Sequence, residues 1–96
     1  MARAQKPRPD QVPVLEELHR AAELRREGNR LYLWLFAEAL RRKVRPSVIG
    51  RYVRLSDQAV NSTRIRLEDV GQDDEAPQTI DEVLKRVYRS QPPTEE

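Results

Sequence analysis

The chain has no cysteine. That single absence removes disulfide scaffolds, thiol nucleophiles, zinc fingers and iron–sulfur sites together. Aromatic residues are scarce, with three Tyr, one Trp and one Phe in 96 residues, and the longest strongly apolar run, residues 31–37, falls far short of the ~20 residues of a membrane span. The N-terminus has no apolar signal core either, so a soluble, cytoplasmic protein is expected. Three scattered glycines form no phosphate-cradling loop, and a lone histidine, His19, stands in no Ser-His-Asp order. Asp73, Asp74 and Glu75 lack the glycine and the spaced ligands of a calcium loop. No catalysis, metal, cofactor or small-molecule ligand is therefore expected. The length leaves room for one small domain with tails.

What the chain does have is arginine, unevenly laid out. Up to Arg66 there are fifteen Lys and Arg against seven Asp and Glu; from Leu67 onward there are three against nine. A segment of +8 is thus followed by one of −6. Between Arg41 and Arg66 eight basic residues face a single acid, Asp57. Such a surface suits phosphate, although arginine-rich coding alone gives the same composition.

Residues 1–11 hold Pro7, Pro9 and the basic side chains Arg3, Lys6 and Arg8, with too little apolar surface to offset ordering entropy. They read as a disordered basic arm, idle or reaching toward a minor groove. From Pro13 the apolar residues Val14, Leu18, Ala21, Leu24, Gly28, Leu31, Leu35 and Ala39 step by three or four. This predicts one long helix to about Lys43, with a break at Gly28 as the alternative. Leu31, Leu33, Trp34, Leu35, Phe36 and Leu40 make its second half apolar nearly all round, so other helices or another subunit must cover it.

Pro46 opens a short helix, 46–54, whose expected buried side is Val48, Ile49, Tyr52 and Val53. Ser56 suits the N-cap of the next helix, 57–70, and Gly71 its C-terminal stop. Residues 72–78 read as an acidic loop. Thr79 caps a last helix, 80–89, with Ile80, Val83, Leu84 and Val87 inward. Residues 91–96 are a disordered acidic tail. The fold class is all-α: a four-helix helix-turn-helix domain over 12–90, with a long N-terminal helix and the motif at 46–70.

The stretch "VRPSVIGRYVRLSDQAVNSTRIRLEDVG" resembles the DNA-reading unit of bacterial helix-turn-helix regulators, with Ile49, Gly50, Val53, Leu55, Ser56, Ala59 and Val60 at the pattern positions. Val60, Leu67, Glu68 and Gly71 are also similar to recognition helices of winged-helix repressors of the MarR kind. The overall likeness is to short actinobacterial, phage and plasmid regulators. Two departures stand out: Arg54 occupies a turn position where glycine is common, and 72–77 is too short and acidic for a wing. The resemblance implies that 57–70 enters the major groove of double-stranded DNA.

A helical projection supports that orientation without the resemblance. Val60, Thr63 and Leu67 share one side with Ala59, while Gln58, Asn61, Ser62, Ile65 and Arg66 share the other. Amides pair with adenine edges, a hydroxyl donates or accepts, and a branched aliphatic touches thymine methyl, so Gln58, Asn61, Ser62 and Ile65 are the candidate base contacts. Arg42, Arg45, Arg51, Arg54, Arg64 and Arg66 are the candidate phosphate contacts. Glu38 with Arg42 is equally an ordinary i,i+4 ion pair. The expected function is a small transcriptional regulator, a repressor or mobile-element control factor, working as a homodimer through Leu31, Trp34 and Leu35 of the long helix. The alternative is an antitoxin or adaptor using the same scaffold to bind a protein. Its motive is the acidic C-terminal third, whose 73–75 loop either competes with phosphate for the motif arginines or merely connects two helices.

Overall fold

A computed structural model describes residues 6–71 and 73–92. Arg3, and the expectation of disorder at 1–5 and 93–96, lie outside the described residues. Four helices follow in order: α1 (Val12–Arg41), α2 (Pro46–Val53), α3 (Asp57–Val70) and α4 (Ile80–Arg89). None of them is long and apolar enough to cross a membrane, and the described residues contain no strand.

α1 is one unbroken helix of 30 residues. Pro13 sits in the first turn, where its missing N–H leaves no bond unmade. Gly28 passes through without a break, which removes the two-helix alternative. The helix stops at Arg41, slightly short of Lys43, because Lys43 turns left-handed at φ 64°. Its amide donates to the Leu40 carbonyl and that of Val44 to Ala39, both at 3.0 Å. This crossed pair closes the helix end in the manner glycine usually serves.

Two small cores hang on α1. In the first, Leu31 packs with Val83 and Val87 of α4. α4 runs antiparallel to α1: Arg86 Nη1 donates to Glu27 Oε2 at 3.3 Å, and His19 Nε2 lies 3.0 Å from Ser90 Oγ. In the second, Phe36 packs with Ile49 of α2 and Val60 of α3, and Tyr32, Leu40, Val53 and Leu67 close around them. α4 packs on α1 and makes no substantial contact with α2 or α3. The long helix is therefore a spine, carrying a helical hairpin on one half and the α2–α3 motif on the other.

Several expected core residues lie elsewhere. Tyr52 is 85% exposed instead of inward, because α2 is too short to bury more than the side bearing Ile49 and Gly50. On α4, Val83 and Val87 are buried but Ile80 and Leu84 are exposed, since α1 is the only helix among the described residues that packs on it and covers one narrow stripe. The expected intersubunit trio is split. Leu31 is sealed under α4, Trp34 is half-buried beside Leu67 and Val70, and only Leu35 is exposed.

Candidate nucleic-acid interface

The motif is set by one close approach and one turn. A Cβ on Gly50 would stand 2.6 Å from the Leu55 carbonyl oxygen, so only glycine lets α2 lie this near the chain entering α3. Arg54 ends α2 left-handed at φ 60°, and its amide and that of Leu55 both reach the Gly50 carbonyl. The turn is as tight as a glycine would make it, at the strain cost of an L side chain in that region, about 1 kcal/mol. Ser56 then caps α3, its Oγ accepting from the Ala59 amide at 3.2 Å. Val60 is fully buried under α2, and Thr63 satisfies its hydroxyl on the Ala59 carbonyl at 3.1 Å.

With that side anchored, the opposite face of α3 is open. Gln58, Asn61, Ser62, Ile65 and Arg66 are all exposed, as the projection requires. Two of them have local partners. Ser62 Oγ donates to the Gln58 carbonyl at 3.1 Å, and Asn61 Oδ1 accepts from Arg64 Nη2 at 2.7 Å and Nε at 3.2 Å. The Asn61 amide N–H groups and the Ser62 lone pairs have no partner among the described residues. Asp69 falls on the same face one turn after Ile65, so the usable face is the N-terminal two and a half turns. That is also the end that reading helices present to base edges.

The six candidate phosphate ligands divide. Arg64 is held by Asn61 and by Glu68 at 2.9 Å, and Arg42 lies 3.5 Å from Glu38, the anticipated i,i+4 pair. Arg45, Arg51, Arg54 and Arg66 are exposed and have no acid partner among the described residues. On the α1–α4 half Arg20 pairs with Glu17, Arg26 with Glu23, and Arg30 and Arg86 converge on buried Glu27, while Arg25 and Arg89 have no acid partner among the described residues. The acidic loop is engaged there too. Asp73 accepts from Arg30 Nε at 2.8 Å and Nη2 at 3.3 Å, and the Glu75 carbonyl accepts from Arg86 Nη1 at 2.8 Å. The Arg30 hydrogen bonds hold the Asp73 carboxyl below the usual carboxylate range, and the same bonds raise Arg30 further. Of the two roles expected for that loop, Asp73 serves the connector.

Three features of this region have little signal in the sequence. Lys43 and Arg54 take left-handed conformations where glycine is the expectation, and Glu27 gathers an arginine 59 positions away. For Glu27 only the i,i+3 spacing to Arg30 hints at the pair.

Arg54 carries a prediction with two opposite readouts. Arg54→Gly relieves the left-handed strain and is expected to raise stability by about 0.5 to 1 kcal/mol in a urea melt. The same change removes an unpaired cation from the motif and should weaken any phosphate-bearing ligand. A drop in stability instead would mean that the arginine side chain itself holds the turn.

No family model matches the chain, and no curated protein or solved structure matches it.

Proposed function

We propose that this protein is a sequence-specific double-stranded DNA-binding transcriptional regulator, a repressor or control factor acting in the cytoplasm, with α3 in the major groove and no catalytic chemistry. A second copy of the chain supplies the second half-site. The observation that carries the reading is the group of four motif arginines left without acid partners among the described residues. On the α1–α4 half Arg20, Arg26, Arg30 and Arg86 are paired while Arg25 and Arg89 are not, and on the motif half Arg42 and Arg64 are paired. Here Arg45, Arg51, Arg54 and Arg66 surround a helix whose open face bears amides, a hydroxyl and a branched aliphatic. Unneutralised cations around such a face suit a polyanion that presents base edges. Of the acidic 73–75 loop, the Asp73 carboxylate is bound to Arg30 on α1.

Fluorescence anisotropy on random duplex DNA at two salt concentrations tests the class. Four phosphate contacts predict a slope of about −3.6 in log K against log salt, so affinity falls roughly 100-fold between 50 and 200 mM. No binding at low salt removes the reading and leaves the motif as a protein-binding scaffold. Substitutions then separate the roles. Arg45→Ala or Arg51→Ala should weaken all sequences alike and flatten the slope by about one unit, whereas Gln58→Ala or Asn61→Ala should cost about 1 to 3 kcal/mol mainly on the cognate site. Uniform losses in both sets would reject α3 as the base reader.

A further inference from the structure

α1 carries a largely apolar seam that its own fold covers only in part, where Tyr32 and Ala39 border the second core. Val14, Ala21, Gly28 and Leu35 recur every seven residues, and Leu18, Arg25, Tyr32 and Ala39 recur between them in the same register. Val14 and Leu18 are 68% and 63% exposed. They belong to the first turns of α1, which extend past the level of His19, where α4 ends against the helix at Ser90. At the other end the seam residues Tyr32, Leu35 and Ala39 form one wall of an almost wholly apolar groove of about 500 Å³, with Val48 and Tyr52 of α2 opposite. One molecule thus has both an apolar projection and an apolar recess on one continuous face.

We infer that this face is the contact between two copies of the chain, paired antiparallel through α1. The first turns of each helix then fill the α1–α2 groove of the other. The proposal takes from the proposed function only the expectation of a second copy.

Three observations select this occupant and this direction. The face is complementary to itself. Reversing one helix so that paired positions sum to 53 sets Leu18 against Leu35, Val14 against Ala39 and Ala21 against Tyr32, a small residue facing each of two larger ones. Plug and recess are then used reciprocally, so the assembly closes as a two-fold dimer instead of propagating. Charge selects the direction. Arg25 is the one charged residue in the seam and has no acid partner among the described residues. A parallel pair stacks it on its own twin, whereas the antiparallel pair sets it across Gly28. Finally, packing within one copy does not require glycine at 28. It sits in mid-helix, where glycine weakens the helix, and a Cβ there would meet nothing within 4 Å. A second helix crossing at that point supplies the missing reason, since the long Arg25 side chain needs the space.

The absence of native cysteine makes the test direct. Leu18→Cys and Leu35→Cys are prepared as separate full-length proteins, and oxidation is followed on non-reducing gels without DNA. Mixed, they are expected to form a covalent pair. Each alone stays uncrosslinked, because the antiparallel register holds identical positions about 25 Å apart, beyond disulfide reach. Crosslinking of Leu18→Cys with itself would overturn the direction. A parent chain sedimenting as a monomer at 100 μM would overturn the contact. Gly28→Leu, in space that is open in the single copy, should leave helical content at least unchanged while raising the dimer dissociation constant by about tenfold or more; unchanged association would overturn the close crossing. Leu84→Glu, on the exposed side of α4, should leave association intact, and dissociation there would move the interface to α4 and reject the proposal. Because no arm contains DNA, failure here and failure of the DNA-binding reading are distinguishable.

Discussion

Phe36→Ala is expected to cost about 3 to 5 kcal/mol of folding stability, comparable with the whole stability of a small domain. Phe36 is 3% exposed and is the α1 side chain at the centre of the second core, against Ile49 and Val60. The Tyr32 ring meets it edge-on, with centroids 5.9 Å apart and planes at 65°. Removing the ring leaves a void that cannot collapse easily, because α1 is held in place by α4 on its other half. The loss should also be local. α4 packs on α1 around Leu31, so hydrogen exchange in this variant should rise first in α2 and α3, and the α1–α4 hairpin should lag. Trp34→Ala is the comparison: that ring is only half-buried, at the side of α1 facing Leu67 and Val70, and its removal should cost less. A urea midpoint for Phe36→Ala equal to that of Trp34→Ala would displace Phe36 from the centre of the core.

The contrast between Phe36 and Leu35 shows what periodicity can and cannot tell. The three-and-four spacing from Val14 to Ala39 marks a real apolar face, and the helix, its proline-led start, the Ser56 and Thr79 caps and the Gly71 stop all follow from local chemistry. Periodicity says that a stripe must be covered; it does not say by what. On α1 the fold buries Leu31 and Phe36 and leaves most of the stripe outside, so the expected interface trio was divided among three environments. Tyr52 failed as a core residue for the same reason, since it flanks a groove that this chain alone does not fill. The open face of α3 was legible because Val60 and Thr63 anchor the opposite side, and an angle of 100° per residue does the rest. Which arginines lack acids was legible only in part. Arg30 and Arg86 have local acids in Glu27 and Glu82, but the pairs Arg30–Asp73 and Arg86–Glu27 join positions 43 and 59 apart, and only the packing of α4 and its loop on α1 brings these together.

Gly50→Ala should cost about 3 kcal/mol, at the upper end for an overpacked site, although alanine is the better helix former by about 1 kcal/mol. The new Cβ meets the Leu55 carbonyl oxygen at 2.6 Å, and this oxygen belongs to the turn itself. It cannot step aside as a side chain would, because the Leu55 amide N–H already donates a hydrogen bond to the Gly50 carbonyl at 2.9 Å. Relief therefore requires α2 to move away from α3, which uncovers Val60 and reorients the face bearing Gln58 and Asn61. Under the proposed function, stability and DNA affinity should fall together, unlike Arg54→Gly, where they part. The second-nearest atom is Val60 Cγ2 at 3.4 Å, an ordinary contact. Adding Val60→Ala should consequently fail to rescue the variant and should destabilise it further. Gly28→Ala is the control from the same fold, a helical glycine with open space around its missing Cβ, and in dilute solution it should gain about 0.5 to 1 kcal/mol. Opposite signs at two glycines of equal intrinsic propensity would isolate the close approach at Leu55 as the cause; rescue by Val60→Ala would shift it to the side chain.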